Sequence, residues 1–121
     1  GDQWPTVWVD LVGDKAPSRV LLACAPYDGG AAAIAVVLAV ARDLRDENFG
    51  PTVRFVFYPS KLFEKHVPGK SPVEVLRAGE SHLATLVPDA LGESNAGWNG
   101  ARLKPVAEAF ADLVRKSAED Q

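Results

Sequence analysis

The sequence predicts an α/β domain, a three-layer sandwich on a mostly parallel sheet with an antiparallel edge hairpin. Three observations predict it. Residues 19–25 form a continuous apolar run, as expected of a strand covered on both faces. A run of strong helix formers, residues 31–46, follows, and then residues 52–58, rich in β-branched and aromatic side chains, so that strand, helix and strand succeed one another as in a βαβ unit. Ahead of these, residues 4–11 alternate with the period of a strand.

In the first segment Val7, Val9 and Leu11 share one face and Trp4, Thr6, Trp8 and Asp10 the other. Pro5 cannot donate to a ladder, which makes this an edge strand. Residues 13–18, Gly-Asp-Lys-Ala-Pro-Ser, are a turn cluster leading into the apolar run at 19–25, the candidate central strand. Pro26, Tyr27, Asp28, Gly29 and Gly30 break that strand. The helix at 31–46 is apolar on every side for three turns before turning polar at Arg42, so it is expected to be buried, with its alanines allowing close approach to a sheet. Asn48, Phe49, Gly50 and Pro51 end it, and the crossover to residues 52–58 is expected to be right-handed.

Residues 59–70 read as a loop. Ser71, Pro72, Val73 and Glu74 form a capping box with proline at the first helical position, opening a short helix that Gly79 can close. Residues 82–87 are a further short strand at the far edge, and the Gly/Asn-rich residues 92–100 are a flexible loop. In the last helix Leu103, Val106, Phe110, Leu113 and Val114 recur at helical spacing, with Lys104, Glu108, Asp112 and Arg115 off that face.

Composition bounds the function. A chain of 121 residues, 47% hydrophobic, can bury a core without staples, so residues 1–121 are read as one domain, and collagen-like, disordered and disulfide-scaffold classes are excluded. A net charge of −3 with scattered Lys and Arg leaves no footprint for nucleic acid. Cys24, the one cysteine, stands inside the apolar run and reads as a small buried hydrophobe. The longest apolar stretch, residues 31–41, is shorter than the roughly 18 residues of a membrane span, and no charged leader opens the chain.

The order of an edge strand ending at Gly13, the run from Val20 to Asp28, an Ala-rich helix ending Ala39-Val40-Ala41-Arg42-Asp43-Leu44, and Val53-Arg54-Phe55-Val56-Phe57 resembles the zinc aminopeptidases of the M28 family. The resemblance covers residues 7–92. In that family the central strand ends in an Ala-His-Tyr-Asp-like motif whose histidine binds metal; here Pro26 stands at the ligand position within Ala25-Pro26-Tyr27-Asp28. The family's Gly-Ala-x-Asp-Asn-x-x-Gly segment, with its bridging aspartate, is reduced to Gly29-Gly30 and alanines. Where the family carries a Glu-Glu pair, Tyr58-Pro59-Ser60 runs into Lys61-Leu62, while Pro88-Asp89-Ala90-Leu91-Gly92 is the counterpart of a Leu-Asp-Met-x-Gly ligand motif. The family's last histidine has no assignable counterpart.

A co-catalytic zinc pair needs several His and carboxylate ligands converging on two cations ~3.5–4 Å apart. Proline and leucine offer no donor atom, and a protonated lysine repels a cation. The family-like acids that remain are Asp28 and Asp89, so no catalytic residue, no metal ligand set and no zinc are expected. The expectation is an inactive peptidase-like domain acting as a structural or recognition module for a protein or peptide, as part of a larger protein, with an extracytoplasmic setting implied by the family. The alternatives are an M28-like hydrolase with its catalytic residues elsewhere, or a small anion-binding α/β domain.

Other constellations are weaker. Asp28, Glu64, His66, His82 and Asp89 could supply a different metal site, against the simpler reading of solvated loop charges. Ser60 with His66 or His82 and Asp28 lacks a Gly-x-Ser-x-Gly elbow. Gly29-Gly30 joins strand to helix where unpaired N–H groups can hold an anion, although a tight turn explains two glycines as well. Trp4, Trp8 and Trp98 are candidate interaction residues. Trp4 and Trp8 share a face expected to lie beneath the last helix, Trp98 is expected to be exposed, and an unpaired edge strand favours a homodimer.

Overall fold

A computed structural model describes residues 6–26, 31–59, 75–88 and 100–119. The chain runs β1 (Val7–Leu11), β2 (Ala16–Pro26), α1 (Ala31–Leu44), β3 (Pro51–Tyr58), β4 (Ser81–Leu86) and α2 (Gly100–Glu119). The four strands form one sheet in the order β1-β3-β2-β4. Strands β3, β2 and β4 are parallel, and β1 lies antiparallel on β3. The class is α/β with a mixed, open sheet, and among the described strands β1 and β4 are its edges.

Alternation along the two inner strands sorts the core into two layers. Leu21, Ala23 and Ala25 of β2, with Val53 and Phe55 of β3, face both helices. There they meet Val36, Val37 and Val40 of α1 and Val106, Phe110 and Val114 of α2. Phe55 and Phe110 are fully buried, each stabilising the fold by about 1.5–3 kcal/mol relative to exposure. Val20, Leu22 and Cys24 of β2, with Val56 and Tyr58 of β3, look the other way and pack against Val75, Leu76, Val87 and Trp8. Among the described residues both helices therefore lie on one face, and residues 75–76 cover the other. Outside the core, Arg115 of α2 donates to Glu47 beyond the end of α1 at 2.8 Å, clamping the two helices together.

Strand β2 starts earlier than its apolar run because the preceding turn is itself pinned to β3. Ala16 pairs with Pro51, and the register then slips so that Val20 pairs with Thr52. The N–H groups of Asp14, Lys15 and Ala16 donate to the carbonyls of Phe49 and Gly50. Thr52 Oγ1 accepts from the Gly13 N–H at 2.9 Å and donates to the Pro17 carbonyl at 2.8 Å. Gly13 is needed for room: a Cβ there would stand 2.3 Å from the Gly50 carbonyl oxygen.

Helix α1 stops at Leu44, two residues before the expected end, and Glu47 N–H closes a turn onto the Leu44 carbonyl. The capping box at residues 71–74 lies outside the described residues. Gly79 does not close a helix; it is the third residue of a turn from Arg77 to Glu80, and its φ of 86° is the left-handed value that a type II turn requires there. Along β4 the register slips once, Val20 pairing with His82 but Leu21 with Ala84, so Leu83 is an extra residue. No helix among the described residues is long and apolar enough to cross a membrane.

Candidate functional site

Open α/β sheets bind ligands beyond the carboxyl ends of their strands, where the strand order reverses. Here β2 leads through α1 to β3 on one side, whereas β4 lies on its other side, so the reversal falls at β2. Pro26 ends β2 in register with Tyr58 at the end of β3. Half-buried Pro26, Pro59 and Val87, with buried Tyr58 and Pro88, line this end among the described residues. Proline and valine offer no side-chain donor, and these residues include no carboxylate or imidazole. Among the described residues no three His, Cys, Asp or Glu side chains converge to hold a metal ion. By themselves these described residues supply no zinc ligand.

Asp28, Gly29, Gly30, Ser60, Glu64, His66, Asp89, Trp4 and Trp98 lie outside the described residues. His82 is described. Its Nε2 lies 2.7 Å from Thr85 Oγ1 on the same strand. Positions three apart on a regular strand face opposite sides, and the extra residue at Leu83 is what brings the two together. Cys24 is buried, and burial pushes its thiol well above the usual thiol range, which makes it a poor nucleophile.

Among the described residues the most strongly organised polar cluster lies on the sheet face away from the helices, around Arg54. Its side chain is fully buried in the middle of β3. Each of the five guanidinium N–H groups has an acceptor. Nε and Nη2 grip the Asp10 carboxylate at 2.8 and 3.0 Å, Nη1 and Nη2 grip Glu80 at 2.8 and 2.9 Å, and Nη1 also reaches the Val75 carbonyl. Asp10 faces Arg54 directly across the β1–β3 ladder. Arg77 completes the charge balance, its Nη1 lying 3.3 Å from Asp10, while its backbone N–H donates to Glu80 at 2.6 Å.

The hydrogen bonds from Arg54 hold the Glu80 carboxyl below its usual range against the opposing effect of burial. The pairing with Asp10 raises the Arg54 guanidinium in turn. Both acids are locked in forked pairs, so neither is placed to move a proton. The cluster fastens residues 75–80 to β1 and β3.

Trp8 belongs to this cluster and not to the helix face, contrary to expectation. Antiparallel pairing sets Trp8 across from Val56 and Val9 across from Phe55, so Trp8 shares the face opposite α2. The Arg54 and Arg77 guanidinium carbons lie 5.1 and 5.5 Å from the centre of a Trp8 ring. Val7 and Val9 occupy the helix-side face of β1 but are 52% and 56% exposed, and Val12 just beyond the strand is 73% exposed. Sequence reading passed over Arg54, although an arginine within a run of β-branched and aromatic residues signals a buried cation that must find acids.

Compared with known proteins, the chain matches no protein-family model, no curated protein and no solved structure.

Proposed function

We propose that this chain is a catalytically inactive, peptidase-like α/β domain of three-layer, aminopeptidase-like architecture. It serves as a structural or recognition module for a protein or peptide partner within a larger, extracytoplasmic protein. The observation that carries this reading is the carboxyl end of β2. The position that the resemblance assigns to a metal-binding histidine is Pro26, and its neighbour in register, Tyr58, is buried. A proline at that point has no side-chain ligand atom to offer. The expected antiparallel edge and the succession β2, α1, β3 are both consistent with the resemblance that motivates the reading.

Elemental analysis of the purified, zinc-supplemented protein tests it, alongside thermal unfolding with and without a chelator. The expected result is no stoichiometric zinc and an unchanged midpoint. One or two tightly held zinc ions per chain, with a midpoint that falls on chelation, would overturn the reading in favour of a hydrolase. Asp28, Asp89, His66 and His82 would then be the residues to mutate.

A further inference from the structure

We propose that β1 is a self-pairing edge: two copies of the chain join antiparallel through β1 about a two-fold axis at Val9, continuing the sheet from one copy into the other. It deepens the recognition reading by naming the partner, and it does not rest on the peptidase resemblance.

Edge strands usually carry a lysine, a proline or an inward-turned charge that discourages further pairing. In β1 the sole charged residue is Asp10, and Arg54 and Arg77 already neutralise it. The helix-side face is bare valine at positions 7 and 9. Among the described residues the strand thus has no partner on its outer edge, an exposed apolar stripe and no unbalanced charge.

The strand also complements itself. Pairing centred on Val9 sets Val7 opposite the partner's Leu11 and Val9 opposite the partner's Val9, so the two stripes merge on one face. On the other face Asp10 meets the partner's Trp8, the ring flanked in each copy by Arg54 and by the 60%-exposed Arg77. An acid therefore approaches a positively framed aromatic, and no like charges face each other. An interface of this kind is isologous and closes at two copies. Five-residue strands bury less than the roughly 800 Å² per partner of stable complexes, so association is expected to be weak and concentration-dependent.

Sedimentation of the whole chain, from about 10 μM to 1 mM, bears on the association directly, since contacts of this size give micromolar or weaker affinity. The expected result is a weight-average mass rising from one chain toward two. Val9→Lys sets two cations face to face and is expected to keep the mass at one chain. Because Val9 is 56% exposed, its thermal midpoint should stay close to that of the parent.

A second measurement fixes the register. Val9→Cys, treated with a short-armed bis-maleimide, should cross-link at least tenfold faster than Val12→Cys. In the proposed pairing the two copies of residue 12 lie about 20 Å apart, six strand positions removed. Buried Cys24 does not compete in either variant. A single-chain mass at every concentration, a dimer that survives Val9→Lys, or equal cross-linking rates at the two positions would each overturn the proposal. The zinc measurement is unaffected by any of these outcomes.

Discussion

Replacing Arg54 with methionine removes the cation from two forked ion pairs while nearly preserving volume. Asp10 and Glu80 are then left 17% and 13% exposed, without the group that holds them. Breaking a buried pair by deleting one partner costs about 3–5 kcal/mol. Two acids lose their partner here, which argues for the upper part of that range, whereas Arg77, 60% exposed and already 3.3 Å from Asp10, recovers some of it. We expect a loss of roughly 3–4 kcal/mol at pH 7, a large fraction of the 5–15 kcal/mol that stabilises a typical domain.

The pH dependence separates this cause from lost packing. The folded Glu80 carboxyl lies below its unfolded value of about 4.3. Its contribution in the parent is therefore fully present above that value and is lost as pH falls through the lower, folded one. In the variant Glu80 has lost the guanidinium that favours its ionised form, and protonation relieves the cost of its burial. The difference between parent and variant should thus be large at pH 7 and shrink toward pH 4. Urea unfolding followed by tryptophan fluorescence measures it, and adding Asp10→Asn and Glu80→Gln should recover at least half of the loss. A loss below about 1 kcal/mol, the scale of surface ion pairs, or an equal loss at both pH values, would refute the electrostatic account.

Other consequences follow from the β1–β2 turn and the core. Gly13→Ala forces a Cβ against the Gly50 carbonyl, a backbone atom that cannot swing aside, and is expected to cost about 3 kcal/mol or prevent folding, read as soluble yield and thermal midpoint. Thr52→Val keeps the shape but leaves the Gly13 N–H and the Pro17 carbonyl without Oγ1, for an expected loss of about 1–3 kcal/mol in urea titrations, which Thr52→Ser should largely avoid. Cys24 should react with a thiol reagent only at the rate of global unfolding, so a fast reaction in native buffer would contradict its burial in the core.

Strand β2 was legible because burial on both faces writes a continuous apolar run, and β3 because its β-branched and aromatic residues favour a strand, signals that need no knowledge of the partner strands. Edge strand β1 was legible in its alternation but not in which face the helices would cover. That depends on its pairing with β3, which sends Trp8 to one side and Val9 to the other. Arg54 was hidden for a related reason: the acids that neutralise it lie 44 and 26 positions away, and register brings them together. The early start of β2 reflects turn chemistry around Gly13 and Thr52 overriding local composition. At the candidate site, Pro26 and Tyr58 stand at the strand ends as their sequence positions imply, while Asp28, Gly29, Gly30 and Asp89 fall outside the described residues.

One guanidinium on β3 ties β1 to residues 75–80, two parts of the chain that share no ladder with each other. Through Asp10 it holds β1, through Glu80 and the Val75 carbonyl it holds the turn before β4, and it sits on β3 between them. If β1 lifts away, Glu80 keeps a cation whose other acid has left; if residues 75–80 lift away, Asp10 does. Either event exposes the buried side of Arg54 to water, so the first opening lowers the cost of the second. Amide hydrogens of β1 and of residues 75–80 should therefore exchange as one cooperative unit, with a common opening free energy distinct from that of β2.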